Sequence, residues 1–283
     1  MIKTIAIVGS GTMGTGIAEA AALAHFDVLL NDVSAEILKG AMERIKEDLR
    51  KGVSRGQHTA TEATEALSRI HPRKGFNDLS EADLVIEAAV EILDVKKEIF
   101  KKLDDLVAPE AILATNTSSL SVTAIASLTK TPESVVGMHF FNPAPVMKLV
   151  EIVRGAQTSN ETVRLVSSVA TKMKKSPVVC RDTPGFIVNR LVRPFFGEAL
   201  RLLGDQVASV EEIDRIMRVA GGFKMGPFEL MDLIGIDVDF ALTQSIFGEF
   251  FNEPRFRPHP IQRQMVQAGA LGRKTKRGFY TYK

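Results

Sequence analysis

The sequence predicts an α/β protein, a Rossmann-like doubly wound sheet of about eight strands followed by a small all-helical domain. Three observations predict it. Short β-branched runs recur through the first 183 residues and alternate with longer segments of helical periodicity. The first run ends in Gly9-Ser10-Gly11-Thr12-Met13-Gly14 and passes directly into an Ala-rich helical segment. Beyond the Pro/Gly break at Arg181-Asp182-Thr183-Pro184-Gly185 the strand patterns stop. The expected domains are therefore 1–183 and 184–283.

In chain order, the apolar run at residues 3–8 forms a strand, and the glycines after it are spaced for a dinucleotide. Gly9 permits the tight turn, Gly11 lets the backbone approach a pyrophosphate, and Gly14 lets helix and strand pack closely. A second strand, Asp27 to Asn31, ends at Asp32, whose carboxylate is placed to accept from adenosine ribose hydroxyls. The same carboxylate would oppose a 2′-phosphate, so NAD is expected over NADP; Lys39, one turn into the next helix, is the nearest cation. That polar helix runs from Ser34 to around Lys51, and a further one covers Thr59 to Leu67. Lys46, Arg50, Lys51 and Arg55 read either as a solvated helix face or as a basic arm holding the phosphates of a bulky anionic substrate.

Residues 83–88 give another buried strand, followed by the helix Val95 to Val107. Glu91 and Lys96 fall where a strand's carboxyl end meets a helix, the ligand crevice of an open α/β sheet. Ile112 to Thr115 is the next strand, and the Asn116-Thr117-Ser118-Ser119 that follows either caps a helix or hydrogen-bonds a substrate oxygen. Strands Val135 to His139, Leu149 to Ile152 and Val178-Val179 complete the sheet, with a helix from Asn160 to Lys175.

Within the segment 135–154, His139 ends one strand and Glu151 lies inside the next among Leu149, Val150, Ile152 and Val153. A carboxylate there is costly without a partner, and an imidazole is a natural one. Such a pair fixes the histidine tautomer and raises the basicity of its other nitrogen, as a general base requires. The alternative is a structural histidine beside an outward-facing edge glutamate.

The helical part reads as Phe186 to Leu203 with Pro194 inside and hence kinked, then Val210 to Ala220, Pro227 to Gly235 and Val238 to Phe251, with a basic, aromatic tail. Asn189 is its conspicuous polar residue. This part carries more apolar surface than it should bury alone, which points to self-association. The composition, 45% hydrophobic and 25% charged, is that of an ordinary globular protein. A net charge of +2 argues for neither nucleic acid nor a membrane surface. One cysteine, Cys180, with no long apolar leader and no membrane-length run, leads to a cytoplasmic expectation. No metal site is expected.

Taken together, the motifs Gly9 to Gly16, Glu87-Ala-Ala-Val-Glu91, Asn116-Thr-Ser-Ser-Leu120, His139 to Glu151, Asp182 to Arg190, Gly226-Pro-Phe-Glu-Leu230 and the closing Gly278-Phe-Tyr resemble the 3-hydroxyacyl-CoA dehydrogenases. The length is similar to that of the free-standing bacterial 3-hydroxybutyryl-CoA type. The resemblance implies reversible, NAD-dependent oxidation of a short-chain (3S)-3-hydroxyacyl-CoA in fatty acid or butyrate metabolism. It implies a catalytic His139 paired with Glu151, and substrate contacts from Ser118 and Asn189. It also implies cofactor contacts from Gly9, Ser10, Gly11, Thr12, Met13, Gly14, Asp32, Glu91, Lys96, Asn116, Ser118, Asn142 and Lys274. Coenzyme A contacts would fall on the arm at Lys51 and Arg55, and a homodimer would form through the C-terminal helical domain, which also contributes to the substrate cleft. Two other classes share the layout: a non-catalytic λ-crystallin-like protein, and another two-domain 3-hydroxyacid dehydrogenase. The latter relies on a catalytic lysine in its helical domain where this chain offers Asn189.

Overall fold

The computed structural model describes residues 2–283, which divide into two compact units with the boundary between Thr183 and Pro184. In the first, β1 (Thr4–Val8), α1 (Thr12–Leu23), β2 (Asp27–Asn31), α2 (Ala35–Ser54), α3 (Ala60–Ser68) and β3 (Ile70–Arg73) are followed by β4 (Leu84–Glu87), α4 (Leu93–Leu106) and β5 (Ile112–Thr115). Then come α5 (Val122–Ala126), β6 (Val135–Phe140), β7 (Leu149–Arg154), α6 (Asn160–Lys172) and β8 (Ser176–Arg181). The strands form one sheet of eight in the order β3-β2-β1-β4-β5-β6-β7-β8. All neighbours run parallel except β6 and β7.

Strand burial explains the near-continuous apolar runs. Ile5, Ile7, Leu84, Ile86, Ala114, Val136 and Met138 are fully buried, as expected of a sheet covered by helices on both faces. Helix starts are set by local side chains: Ser34 caps α2 by accepting from Glu36 N, and Thr59 with Glu62 forms a capping box at α3. Strand β3 was not foreseen. Its Ile-His-Pro-Arg sequence contains a proline, which a sheet accepts only at an edge, and the edge is where β3 lies. The order reverses at β1, between β2 and β4, so the carboxyl ends of β1, β2, β4, β5 and β6 share one edge and open a crevice there.

The second unit is helical throughout: α7 (Val188–Gly204), α8 (Val210–Val219), α9 (Pro227–Ile234), α10 (Ile236–Glu249) and α11 (Pro260–Gln267). Helix α7 begins later than the apolar pattern predicts because Gly185 and Phe186 both have positive φ, 73° and 50°. The unforeseen α11 carries Pro at its first turn and donates Gln262 Nε2 to Asp239 Oδ2 at 2.6 Å, beside a buried Arg193–Asp239 ion pair. Two buried carboxylates organise the closing segment. Asp232 accepts from the backbone of Phe279 and Tyr280 and from the Tyr282 hydroxyl, and Asp214 accepts from Phe228 N, Glu229 N and the Tyr280 hydroxyl. A Cβ at Gly278 would stand 2.0 Å from Asp232 Oδ1, so this position admits only glycine. No helix among the described residues is long and apolar enough to cross a membrane.

Candidate active site

The crevice edge begins with the glycine loop. Gly9 has φ 98°, and a Cβ there would meet Ala88 O at 2.7 Å; one at Gly14 would meet Gly9 O at 1.8 Å. Around Gly11, by contrast, a Cβ would meet nothing within 4 Å, so the loop presents open backbone. Helix α1 starts behind it with no side-chain cap and no acidic residue in its first turn, leaving its N–H groups for an anion. Asp32 follows β2, where Oδ2 accepts from Ser10 N and Ser10 Oγ, both at 2.9 Å, and Oδ1 accepts from Val33 N. Loop, uncapped helix and carboxylate together fit a dinucleotide.

At the ends of β4 and β5 a buried ionic network supports the turn that carries Ser118. Lys96 is 1% exposed, its ammonium 2.6 Å from Glu87 Oε1 and 3.3 Å from Glu91 Oε2. Glu87 also accepts from Ala89 N and Thr115 Oγ1. Glu91 Oε1 accepts from Thr117 Oγ1 at 2.5 Å, Ser118 N at 2.8 Å and Ser118 Oγ at 3.3 Å. Burial pulls the Glu91 carboxyl upward, but the Lys96 charge and the bonds from Thr117 and Ser118 outweigh it and hold it below the usual range. Lys96 thus bridges the Glu87 and Glu91 carboxylates at the crevice edge. Asn116 Oδ1 accepts from Phe140 N at 2.9 Å, joining the end of β5 to the end of β6.

His139 and Glu151 face each other across the antiparallel β6–β7 pair, with Nδ1 2.7 Å from Glu151 Oε2. Both are buried, at 6% and 1% exposure. Facing a carboxylate, Nδ1 is placed to donate its hydrogen, which in a neutral ring leaves Nε2 as the acceptor nitrogen. The Phe141 ring lies 4.5 Å from the imidazole. Cys180, paired with Val153 in the β7–β8 register, is no nucleophile: burial, Glu151 and Asp182 push its thiol up to about 12.

The remaining candidates belong to other elements. Asn142 is exposed in the connection after β6. Lys51 and Arg55 lie at the far end of α2, where Lys51 pairs with Asp48 at 3.2 Å. Asn189 and Lys274 belong to the second unit, Asn189 in the first turn of α7 and Lys274 paired with Asp237. Arg44 is a residue that the linear reading passed over: its Nη2 donates to Ser10 O at 2.9 Å. Arg44, Lys51 and Arg55 fall at i, i+7 and i+11, one face of α2, and that spacing was the available signal.

Residues 4–183 match the NAD binding domain of 3-hydroxyacyl-CoA dehydrogenase, and residues 185–282 match that enzyme's C-terminal domain. The chain belongs to the 3-hydroxyacyl-CoA dehydrogenase family. It is 50% identical over 282 residues to the 3-hydroxyadipyl-CoA dehydrogenase of Escherichia coli, covering 100% of this chain and 59% of that longer protein. It is 44% identical to the 3-hydroxybutyryl-CoA dehydrogenase of Bradyrhizobium diazoefficiens, covering 100% and 96%. The crystal structure of (S)-3-hydroxybutyryl-CoA dehydrogenase from Ralstonia eutropha superposes with a TM-score of 0.96 at 41% identity, covering both chains fully. The glycine loop, uncapped α1 and Asp32 all fall within the stretch that matches the NAD binding domain of this NAD-dependent family.

Proposed function

We propose that the chain oxidises a short-chain (3S)-3-hydroxyacyl-CoA, such as 3-hydroxybutyryl-CoA, reversibly to the 3-ketoacyl-CoA. The His139–Glu151 pair at the crevice edge carries this reading. His139 Nε2 removes the proton of the 3-hydroxyl and, in reverse, protonates the developing alkoxide. Glu151 steadies the imidazolium. Ser118, held by Glu91, hydrogen-bonds the reacting oxygen or the thioester carbonyl and keeps the acyl group in line. NAD supplies the hydride acceptor when bound.

Asn189 and Lys274 take the roles the resemblance implies, substrate and cofactor contact respectively. Lys51 and Arg55 hold the phosphates of coenzyme A. Homodimerisation through the helical unit is supported by apolar side chains left exposed there, among them Leu191 at 68%, Val219 at 81% and Phe251 at 94%. A cytoplasmic location and a place in fatty acid or butyrate metabolism complete the proposal.

The test is spectrophotometric reduction of acetoacetyl-CoA by NADH, with 3-oxoadipyl-CoA in parallel because the Escherichia coli relative is named for that acyl group. Turnover of acetoacetyl-CoA supports the reading. Preference for the dicarboxylic thioester would reassign the substrate, and NADH binding without turnover of either would favour a λ-crystallin-like role.

A further inference from the structure

Phe141 to Lys148 connects the strand that carries His139 to the strand that carries Glu151, and it contains Asn142. Its own backbone makes one tight turn, with Val146 N and Met147 N both donating to Pro143 O at 3.0 Å. The carbonyls of Ala144, Pro145 and Met147 are thereby turned toward a common point. Lys175 stands at that point, in the link from α6 to β8, and its Nζ donates to them at 2.5, 3.2 and 3.0 Å. An ammonium has three donors, and here each has a carbonyl. The next residue extends the anchorage, Ser176 N donating to Lys148 O at 2.7 Å.

On its other side the connection touches the helix that opens from the glycine loop. A Cβ at Gly16 would stand 3.0 Å from Pro145 Cδ and 3.2 Å from Ala144 Cβ, so α1 and the connection are in direct contact. Glu19, one turn further along α1 and 5% exposed, interacts electrostatically with Lys175, which is 7% exposed. Burying an ammonium is expensive, and an apolar residue of similar volume fills such a space at lower cost. What an apolar residue would not do is hold three converging carbonyls, whose dipoles repel one another.

We propose that Lys175 is a positioning residue for the reaction. By holding the 141–148 connection it fixes Asn142 and the ends of the His139 and Glu151 strands, and it ties them to the helix of the cofactor loop. The proposal rests on the dehydrogenase reading above for the roles of Asn142, His139 and Glu151.

Lys175→Met and Lys175→Arg are compared with wild type by amide exchange over residues 142–148, by NADH binding and by steady-state kinetics, at a temperature where each variant is fully folded. Lys175→Met should exchange the 142–148 amides at least about tenfold faster, since the segment then opens locally. Its kcat should fall about ten- to a hundredfold, the scale of an ångström-level misplacement, while KM for acetoacetyl-CoA stays near wild type. Lys175→Arg, which keeps donors at this point, should recover part of both. Where Lys175→Met does not fold, Gly16→Ala presses on the same connection from α1 and should loosen the same amides. Unchanged exchange and unchanged kcat in a folded variant overturn the proposal, as does a loss that only follows the folded fraction. Loosened amides in a chain whose wild type reduces no ketoacyl thioester would instead sink the dehydrogenase reading and leave the clamp standing.

Discussion

Glu151 Oε2 lies 2.7 Å from His139 Nδ1, and the two residues are direct cross-strand partners in the antiparallel β6–β7 pair. The sheet register therefore sets this geometry, and neither side chain has to search for the other. His139→Gln should lower turnover by roughly two to four orders of magnitude, the usual contribution of a general base, with NADH affinity little changed. Glu151→Gln should also be slow, because an amide does not stabilise the imidazolium. Stopped-flow NADH oxidation checks both, and near-normal turnover in either variant removes that residue from the chemistry.

The exposed end of α2 gives the second prediction. Lys51 and Arg55 lie one turn apart, and the Asp48 carboxylate 3.2 Å from the Lys51 ammonium offsets part of its charge. Neutralising both should raise KM for acetoacetyl-CoA and leave KM for a thioester lacking the nucleotide unchanged. Raising the salt should reproduce the effect on wild type, because exposed charges are screened over about 8 to 10 Å at ordinary ionic strength. Equal effects on both thioesters would show that the arm does not read coenzyme A.

Much of this was legible in the linear sequence, for reasons that can be named. The glycine loop is visible because each glycine answers a backbone demand, and Asp32 because its distance from that loop is set by one strand–helix–strand unit. His139 and Glu151 stand out because polar groups inside apolar strands need partners. Strand β3 was hidden, since an edge strand with proline lacks the alternation that marks a strand. The ion pairs of Lys96 with Glu87 and Glu91 were not legible, since sequence position at a strand–helix junction does not say which carboxylates an ammonium will meet. Lys175 and Arg44 were missed for a related reason. Their partners are backbone carbonyls, and a carbonyl has no signature in the sequence.

Cofactor choice is the third prediction. The Asp32 carboxylate, held by Ser10 at 2.9 Å, would stand against a 2′-phosphate. Like charges about 4 Å apart cost on the order of 1 kcal/mol in water and roughly 4 at a partly buried surface, so a preference for NADH of about five- to a thousandfold is expected. Arg44, whose guanidinium also reaches Ser10, works against that preference, so Arg44→Gln should widen it and Asp32→Ala should narrow it. Parallel NADH and NADPH titrations decide the matter. A wild type that prefers NADPH, or a ratio indifferent to Asp32→Ala, would show that this carboxylate is not the selector.

The last prediction concerns stability and pH, and it comes from Glu19 on α1. Its carboxyl is 5% exposed, and burial, reinforced by Asp48 and opposed by Lys175, raises its pKa from 4.5 to about 7. The folded chain therefore holds a proton between those two values that the unfolded chain has released. The sign follows from linkage: stability from this group is present below pH 4.5, declines as pH rises, and is gone above about 7. Each tenfold gain in proton affinity on folding is worth about 1.4 kcal/mol, so the loss is on the order of 3 kcal/mol. Glu19→Gln keeps the shape of the protonated acid and has no proton to lose. Its stability should match wild type near about pH 4 and exceed it by that order near about pH 8. Urea unfolding of both proteins at the two pH values measures the difference. A gap that does not grow with pH would mean that Glu19 is ionised in the folded protein throughout this range, with Lys175 outweighing its burial.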